Sequence, residues 1–148
     1  MGTRPRLAFD ILFFTGLRKS DAIKAGRQHV RTGVLTIRTA KTGETVSIPI
    51  IPELAQSIEA GPVGDLTFIV HGGKQALTSG SFEVWFRRAA GCPGSSHGLR
   101  KTLTTRLANM GASEKELEAR SGWRGGGMAS HYTRKANRVR LTGKAMDR

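Results

Sequence analysis

The chain has 148 residues, 38% of them apolar, with 24 Lys and Arg against 11 Asp and Glu and a formal charge of +13. That is the length of one ordinary domain able to bury a core. Its single cysteine, Cys92, excludes an internal disulfide and argues against a cysteine zinc site, and no apolar run approaches the ~20 residues of a membrane helix.

The basic residues are spread through the chain rather than confined to a tail. This distribution points to a phosphate-rich partner, nucleic acid, ahead of a ribosomal-type or merely solubilising surface. The opening stretch has arginines, but its short apolar run contains Asp10, so it does not read as a secretion signal. An intracellular, cytoplasmic protein without a membrane partner is expected.

In chain order, Leu7, Ile11 and Phe14, with Ala8, Leu12 and Thr15, predict a helix over residues 6–15, interrupted at Gly16. The stretch SDAIKAG predicts a short second helix, capped by Ser20 or Asp21 and stopped by Gly26. The period then changes. Leu35 and Ile37, followed by Val46, Ile48 and Ile50, predict a two-stranded hairpin with Thr42 and Gly43 at its tip. A short helix is expected over residues 53–59, and LTFIV reads as a small strand or an extended buried run.

Thr78 or Ser79 can cap a helix that lines up Phe82, Trp85 and Phe86. Leu99, Leu103 and Leu107 predict the next helix, stopped by Gly111. Ser113 and Glu116 form a capping box for a helix ending near Gly122. Residues 125–127, all glycine, read as a flexible hinge before a last short helix carrying Tyr132. The tail, 133–148, is basic and weakly patterned. The expected class is α+β, mainly α-helical with a small antiparallel sheet.

Six residues stand out. Arg18 sits in the break between two apolar elements, Lys41 near the hairpin tip, and His97 and Arg100 on one face at a helix start. Trp123 follows a helix stop, and Tyr132 is the only tyrosine. Singly, each has an ordinary reading as a solvated cation, a turn residue or a core aromatic. Together they form a chemical kit. Two arginines can grip the oxygens of one phosphate and stabilise charge that grows during phosphoryl transfer. A tyrosine hydroxyl can attack phosphorus, with histidine and lysine moving protons. An indole N–H adds a donor. No acidic cluster has metal-ligand spacing, so neither metal nor cofactor is expected.

These residues resemble the tyrosine recombinase (phage integrase) family, in its catalytic domain. TGLRKSD resembles the family's first arginine box, and AKTGETVSIPI its lysine hairpin. HGLRKTLTTRLANMG is similar to its HxLR box, SGW stands where LGH or LGW is usual, and Tyr132 follows Trp123 by nine residues.

The resemblance implies that Arg18 and Arg100 bind the scissile phosphate and that Lys41 is the general acid toward the 5′ oxygen. His97 would accept a proton or bind phosphate, Trp123 would hydrogen-bond the phosphate or buttress the site, and Tyr132 would be the nucleophile. It further implies a site-specific recombinase or integrase, bacterial or phage-encoded. Such an enzyme cuts and rejoins double-stranded DNA through a 3′-phosphotyrosyl intermediate, without metal or ATP, as a tetramer on paired sites and a monomer when free. Asp21 would orient Arg18 or its helix.

Lys19, Lys101, Arg120, Ser121 and the glycine run depart from the family's usual residues. The expected organisation is a catalytic domain over 1–148, without the family's N-terminal core-binding domain. A non-cutting DNA-binding module of the same fold and a type IB topoisomerase-like strand transferase are the alternatives. A general RNA-binding domain ranks below them, because the aromatics fall at helical core spacing rather than on strands.

Overall fold

A computed structural model describes residues 2–72, 75–89, 91, 94–136 and 138–147. Cys92 lies outside the described residues. Helix α1 (Arg4–Thr15) opens at Thr3, whose hydroxyl accepts from the Arg6 amide, and carries a proline in its first turn. Leu7, Ala8, Ile11 and Leu12 are its buried stripe. Gly16 ends it at φ 67°, where its N–H returns to the Leu12 carbonyl at 2.9 Å. An added Cβ at Gly16 would meet Leu103 at 2.9 Å, so this stop is also a close approach between segments. Asp10, on the same helix, is buried but paired with Arg6 and with the Ser57 hydroxyl.

Helix α2 (Lys19–Ala22) differs from the expected one. It starts directly after Arg18 and ends before Gly26. Neither Ser20 nor Asp21 caps it, because the Asp21 carboxylate is turned elsewhere, as described below. A 3-10 turn (Arg27–His29) leads into strand β1 (Val30–Arg31), then β2 (Val34–Arg38) and β3 (Thr45–Pro49). The expected hairpin is therefore part of a three-stranded antiparallel sheet of order β1-β2-β3. The additional strand is only two residues long, too short to show a period. The turn between β1 and β2 puts both Thr32 and Gly33 at positive φ, 48° and 73°, the geometry that two-residue hairpins favour. Leu35 pairs with Ile48 and Ile37 with Val46, and all four face the core while Thr36 and Ser47 face out.

Helix α3 (Pro52–Ala60) packs on α1 and buries Leu54 and Ile58. In the LTFIV run Phe68 and Ile69 are buried without strand pairing, and only β4 (Val70–His71) pairs, with β5 (Gln75–Ala76). Helix α4 (Ser79–Ala89) places Phe82 and Phe86 fully inside, stacked with centroids 5.3 Å apart. Each such ring contributes roughly 1.5–3 kcal/mol by burial.

Helix α5 (Ser96–Asn109) joins two cores. Its Leu99 packs on the large cluster of α1, the sheet, α3 and α4. Its Leu107 and Ala108 pack on a small cluster with Leu117 of α6 (Glu114–Ser121) and Ala129 of α7 (Met128–Arg134). The Ser113–Glu116 capping box forms as expected, and Gly122 closes α6 at φ 66°. The tail, expected to be basic and weakly patterned, contains a further helix, α8 (Arg138–Met146). Leu141 is its anchor on the small cluster, and a lone anchor leaves almost no periodic signal.

Candidate active site

Helix α5 starts at Ser95, whose hydroxyl accepts from the Gly98 amide. A second acceptor comes from a neighbouring helix. Glu83 of α4 accepts from the Ser96 amide at 3.2 Å and from the Ser96 hydroxyl at 2.6 Å. The start of α5 is thereby fixed, and with it His97 and Arg100. Sequence reading missed Glu83; the available sign was a carboxylate set among Phe82, Trp85 and Phe86.

Arg100 is buried, with 6% of its surface exposed. Its Nη1 donates to the Gly16 carbonyl at 2.7 Å and its Nη2 to the Ser121 carbonyl at 2.9 Å. The guanidinium thus ties the end of α1 to the end of α6, and its carbon lies 5.6 Å from the Trp123 ring centroid. Burial, with the nearby charge of Arg18, lowers its pKa to about 10, so it remains a cation at neutral pH. Two bonds leave three of its five N–H groups uncommitted to these carbonyls.

Arg18 precedes α2 and is half-buried. Its Nη1 is buried with no acceptor among the described residues, and a buried unpaired donor calls for one. Arg18, His97 and Arg100 line one cleft of about 390 Å³. His97 is on its exposed side. Partial burial and the charges of Lys101, Arg100, Arg18 and Lys41 hold its pKa below the ordinary 6.5, so the imidazole is neutral at pH 7.

Trp123 and Tyr132 do not line that cleft; Trp123 lies against the Arg100 guanidinium. The two rings stack with centroids 5.8 Å apart and planes 12° from parallel. His131 meets Tyr132 edge-on at 5.6 Å. Residues 125–127 between them take positive φ, 66°, 80° and 82°, which only glycine adopts without strain.

Lys41 is exposed in the loop between β2 and β3 and also lies outside the cleft. That loop is tied down at three points. Asp21 accepts from the Ala40 amide at 2.9 Å, Thr42 donates to the Gly122 carbonyl at 3.0 Å, and Arg124 pairs with Glu44. Among the described residues the Asp21 carboxylate makes no hydrogen bond to Arg18; one of its oxygens accepts from the lysine loop instead.

Two departures from the expected pattern have structural uses. Ser121 contributes its carbonyl to Arg100, which any residue could do. Arg120 donates to the Phe14 carbonyl and anchors the last turn of α1.

The sequence matches the phage integrase family over residues 1–138. The chain belongs to that family. No curated protein sequence matches it. Among solved structures it is similar to a lambda integrase dimer bound to a COC′ core site, at 25% identity and TM-score 0.72, over 88% of this chain and 42% of that one. It is also similar to the lambda integrase catalytic core, at 25% identity and TM-score 0.67, over 80% of this chain and 82% of that one. A Tn1549 transposon integrase in complex with transposon right end DNA shares the fold at 17% identity and TM-score 0.73, over 97% of this chain and 58% of that one. The chain thus spans less than half of the lambda integrase chain in the dimer complex. Its fold is that of the family's catalytic domain, mostly helical with a small antiparallel sheet.

Proposed function

We propose that this domain cuts and rejoins DNA strands through a covalent bond between Tyr132 and a 3′ phosphate, as a site-specific recombinase or integrase. One observation carries the reading. The only tyrosine of the chain stacks on Trp123, which in turn lies against the buried cation Arg100. The proposed nucleophile on α7, the indole just after α6 and the guanidinium in the second turn of α5 lie together.

In this mechanism Arg18 and Arg100 hold the non-bridging oxygens of the scissile phosphate. Their charge stabilises the transition state, in which the negative charge on those oxygens increases. The Tyr132 oxygen forms a bond to phosphorus as the bond from phosphorus to the 5′ oxygen breaks. The tyrosine proton passes to His97, whose neutral imidazole at pH 7 suits an acceptor. Lys41 gives a proton to the departing 5′ oxygen. A 5′ hydroxyl from a second strand then attacks the phosphotyrosyl bond and releases Tyr132, with the protons moving in reverse. The phosphoester count is unchanged, so no ATP is consumed.

Neighbouring structures bound to DNA, one of them a lambda integrase tetramer bound to a Holliday junction, favour double-stranded DNA as substrate and a tetramer as the working assembly. The charge of +13 agrees with a DNA partner. The DNA-associated site of action is then the cytoplasm of a bacterial cell.

The test is adduct formation on nicked duplex DNA, read on a denaturing gel. The parent is expected to give a slowly migrating protein–DNA band, and Tyr132→Phe none while still binding the duplex. A band that persists in Tyr132→Phe removes Tyr132 as nucleophile.

A further inference from the structure

The cleft that holds Arg18 and Arg100 extends beyond them. Lys19, Glu83 and Arg87 line the same cleft. Lys19 Nζ lies 3.7 Å and Arg87 Nε 3.5 Å from the Glu83 carboxylate, whose oxygens also accept from the Ser96 amide and hydroxyl. Both cations stay open to solvent, with 39% and 62% of their side chains exposed, whereas Glu83 keeps only 19%. The carboxylate is thus largely covered and engaged, and the cations present their remaining N–H donors outward.

We propose that Lys19 and Arg87, held in place by Glu83, form a second phosphate subsite that takes the backbone phosphate next to the scissile one on the same strand. This rests on the reading of Arg18 and Arg100 as the scissile-phosphate clamp and extends it. A DNA strand carries one phosphate for every ~3.4 Å of rise, so a strand seated on the clamp must bring a neighbouring phosphate into the same cleft or just outside it. A cleft lined by four cations, Arg18, Lys19, Arg87 and Arg100, suits a strand rather than a lone phosphate. Glu83 does not cancel the second site, because two cations stand against its one charge. Burial raises its pKa, but the Ser96 hydrogen bonds and the two cations outweigh this and the net shift is downward. It therefore remains an anion at neutral pH and keeps both side chains drawn to the cleft. Sequence reading marked Lys19 only as a departure from the family's usual residue, and Arg87 not at all.

The test is the salt dependence of binding to a fluorescein-labelled 20-base-pair duplex, compared between the parent and the double variant Lys19→Gln, Arg87→Gln. One lost phosphate contact should reduce the magnitude of the log–log salt slope by about 0.9. The variant's circular dichroism should match the parent's, since both side chains are exposed. On the nicked substrate that maps the cleavage site, a neutral methylphosphonate at the adjacent phosphate should weaken the parent and leave the double variant unaffected. An unchanged slope overturns the subsite, as does equal weakening of parent and variant by the neutral linkage. The two readings separate cleanly. Adduct formation with an unchanged slope removes the subsite alone, and a reduced slope without any adduct removes the cutting mechanism alone.

Discussion

The Tyr132 ring lies parallel to the Trp123 ring, with centroids 5.8 Å apart, and Arg100 approaches the same indole at 5.6 Å. One side chain therefore contacts both the proposed nucleophile and the proposed phosphate ligand. Trp123 is half-buried and packs on the small cluster of Ala108, Leu117, Ala129 and Ala136. Trp123→Ala should lower stability by about 2 kcal/mol, part of the cost of deleting a fully buried aromatic plus the lost ring pairing. Trp123→Phe should retain most of it. Urea unfolding of the two variants checks this, and equal losses would show that the stack itself contributes little.

Asp21 governs the lysine loop. Its carboxylate is buried and accepts the Ala40 amide next to Lys41. Asp21→Ala leaves that amide without its acceptor, at a cost of about 1–3 kcal/mol, and frees the loop. Hydrogen exchange at the Ala40 amide should then be faster by at least about tenfold, and adduct formation slower. Asp21→Asn, which retains an acceptor oxygen, should restore most of the protection. An Ala40 amide as protected in Asp21→Ala as in the parent would detach Asp21 from the loop.

His97 should respond to pH with a definite sign. Its folded pKa lies below the ordinary 6.5, through partial burial and the charges of Lys101, Arg100, Arg18 and Lys41. The unfolded chain therefore takes up this proton first as pH falls. The stability that comes from keeping His97 neutral is present above about pH 6.5 and declines as pH drops toward the folded value. An NMR titration should place the His97 midpoint below 6.5, and Lys101→Gln should move it upward. A midpoint at or above 6.5 in the parent would contradict the electrostatic account.

What the sequence made legible follows from how local each signal is. The helix of Leu99, Leu103 and Leu107 and the strands of Leu35, Ile37, Val46 and Ile48 repeat within a few residues, and the structure contains them. His97 and Arg100 share a helix start, so their meeting on one cleft was readable from spacing. The ties that position the site are long-range. Thr42 reaches Gly122 across 80 residues, and Arg120 reaches Phe14 across 106. Nothing in the local pattern distinguishes these side chains from ordinary turn and surface residues. Glu83 stood out only as a carboxylate among aromatic residues, and its partner Ser96 lies on another helix. Strand β1 and helix α8 escaped notice for a different reason: one is two residues long, and the other has a single apolar anchor on the small cluster.

The central claim is that the Tyr132 oxygen becomes bonded to DNA phosphorus. The most direct measurement is mass spectrometry of the adduct formed on nicked duplex DNA, after nuclease and trypsin digestion. Cleavage after Arg124 and Arg134 releases the segment 125–134, which contains Tyr132. The account predicts that this segment carries the added nucleotide mass, with fragmentation placing it on Tyr132 through a 3′ phosphate. An adduct located on any other residue, or a 5′-phosphate linkage, would contradict it.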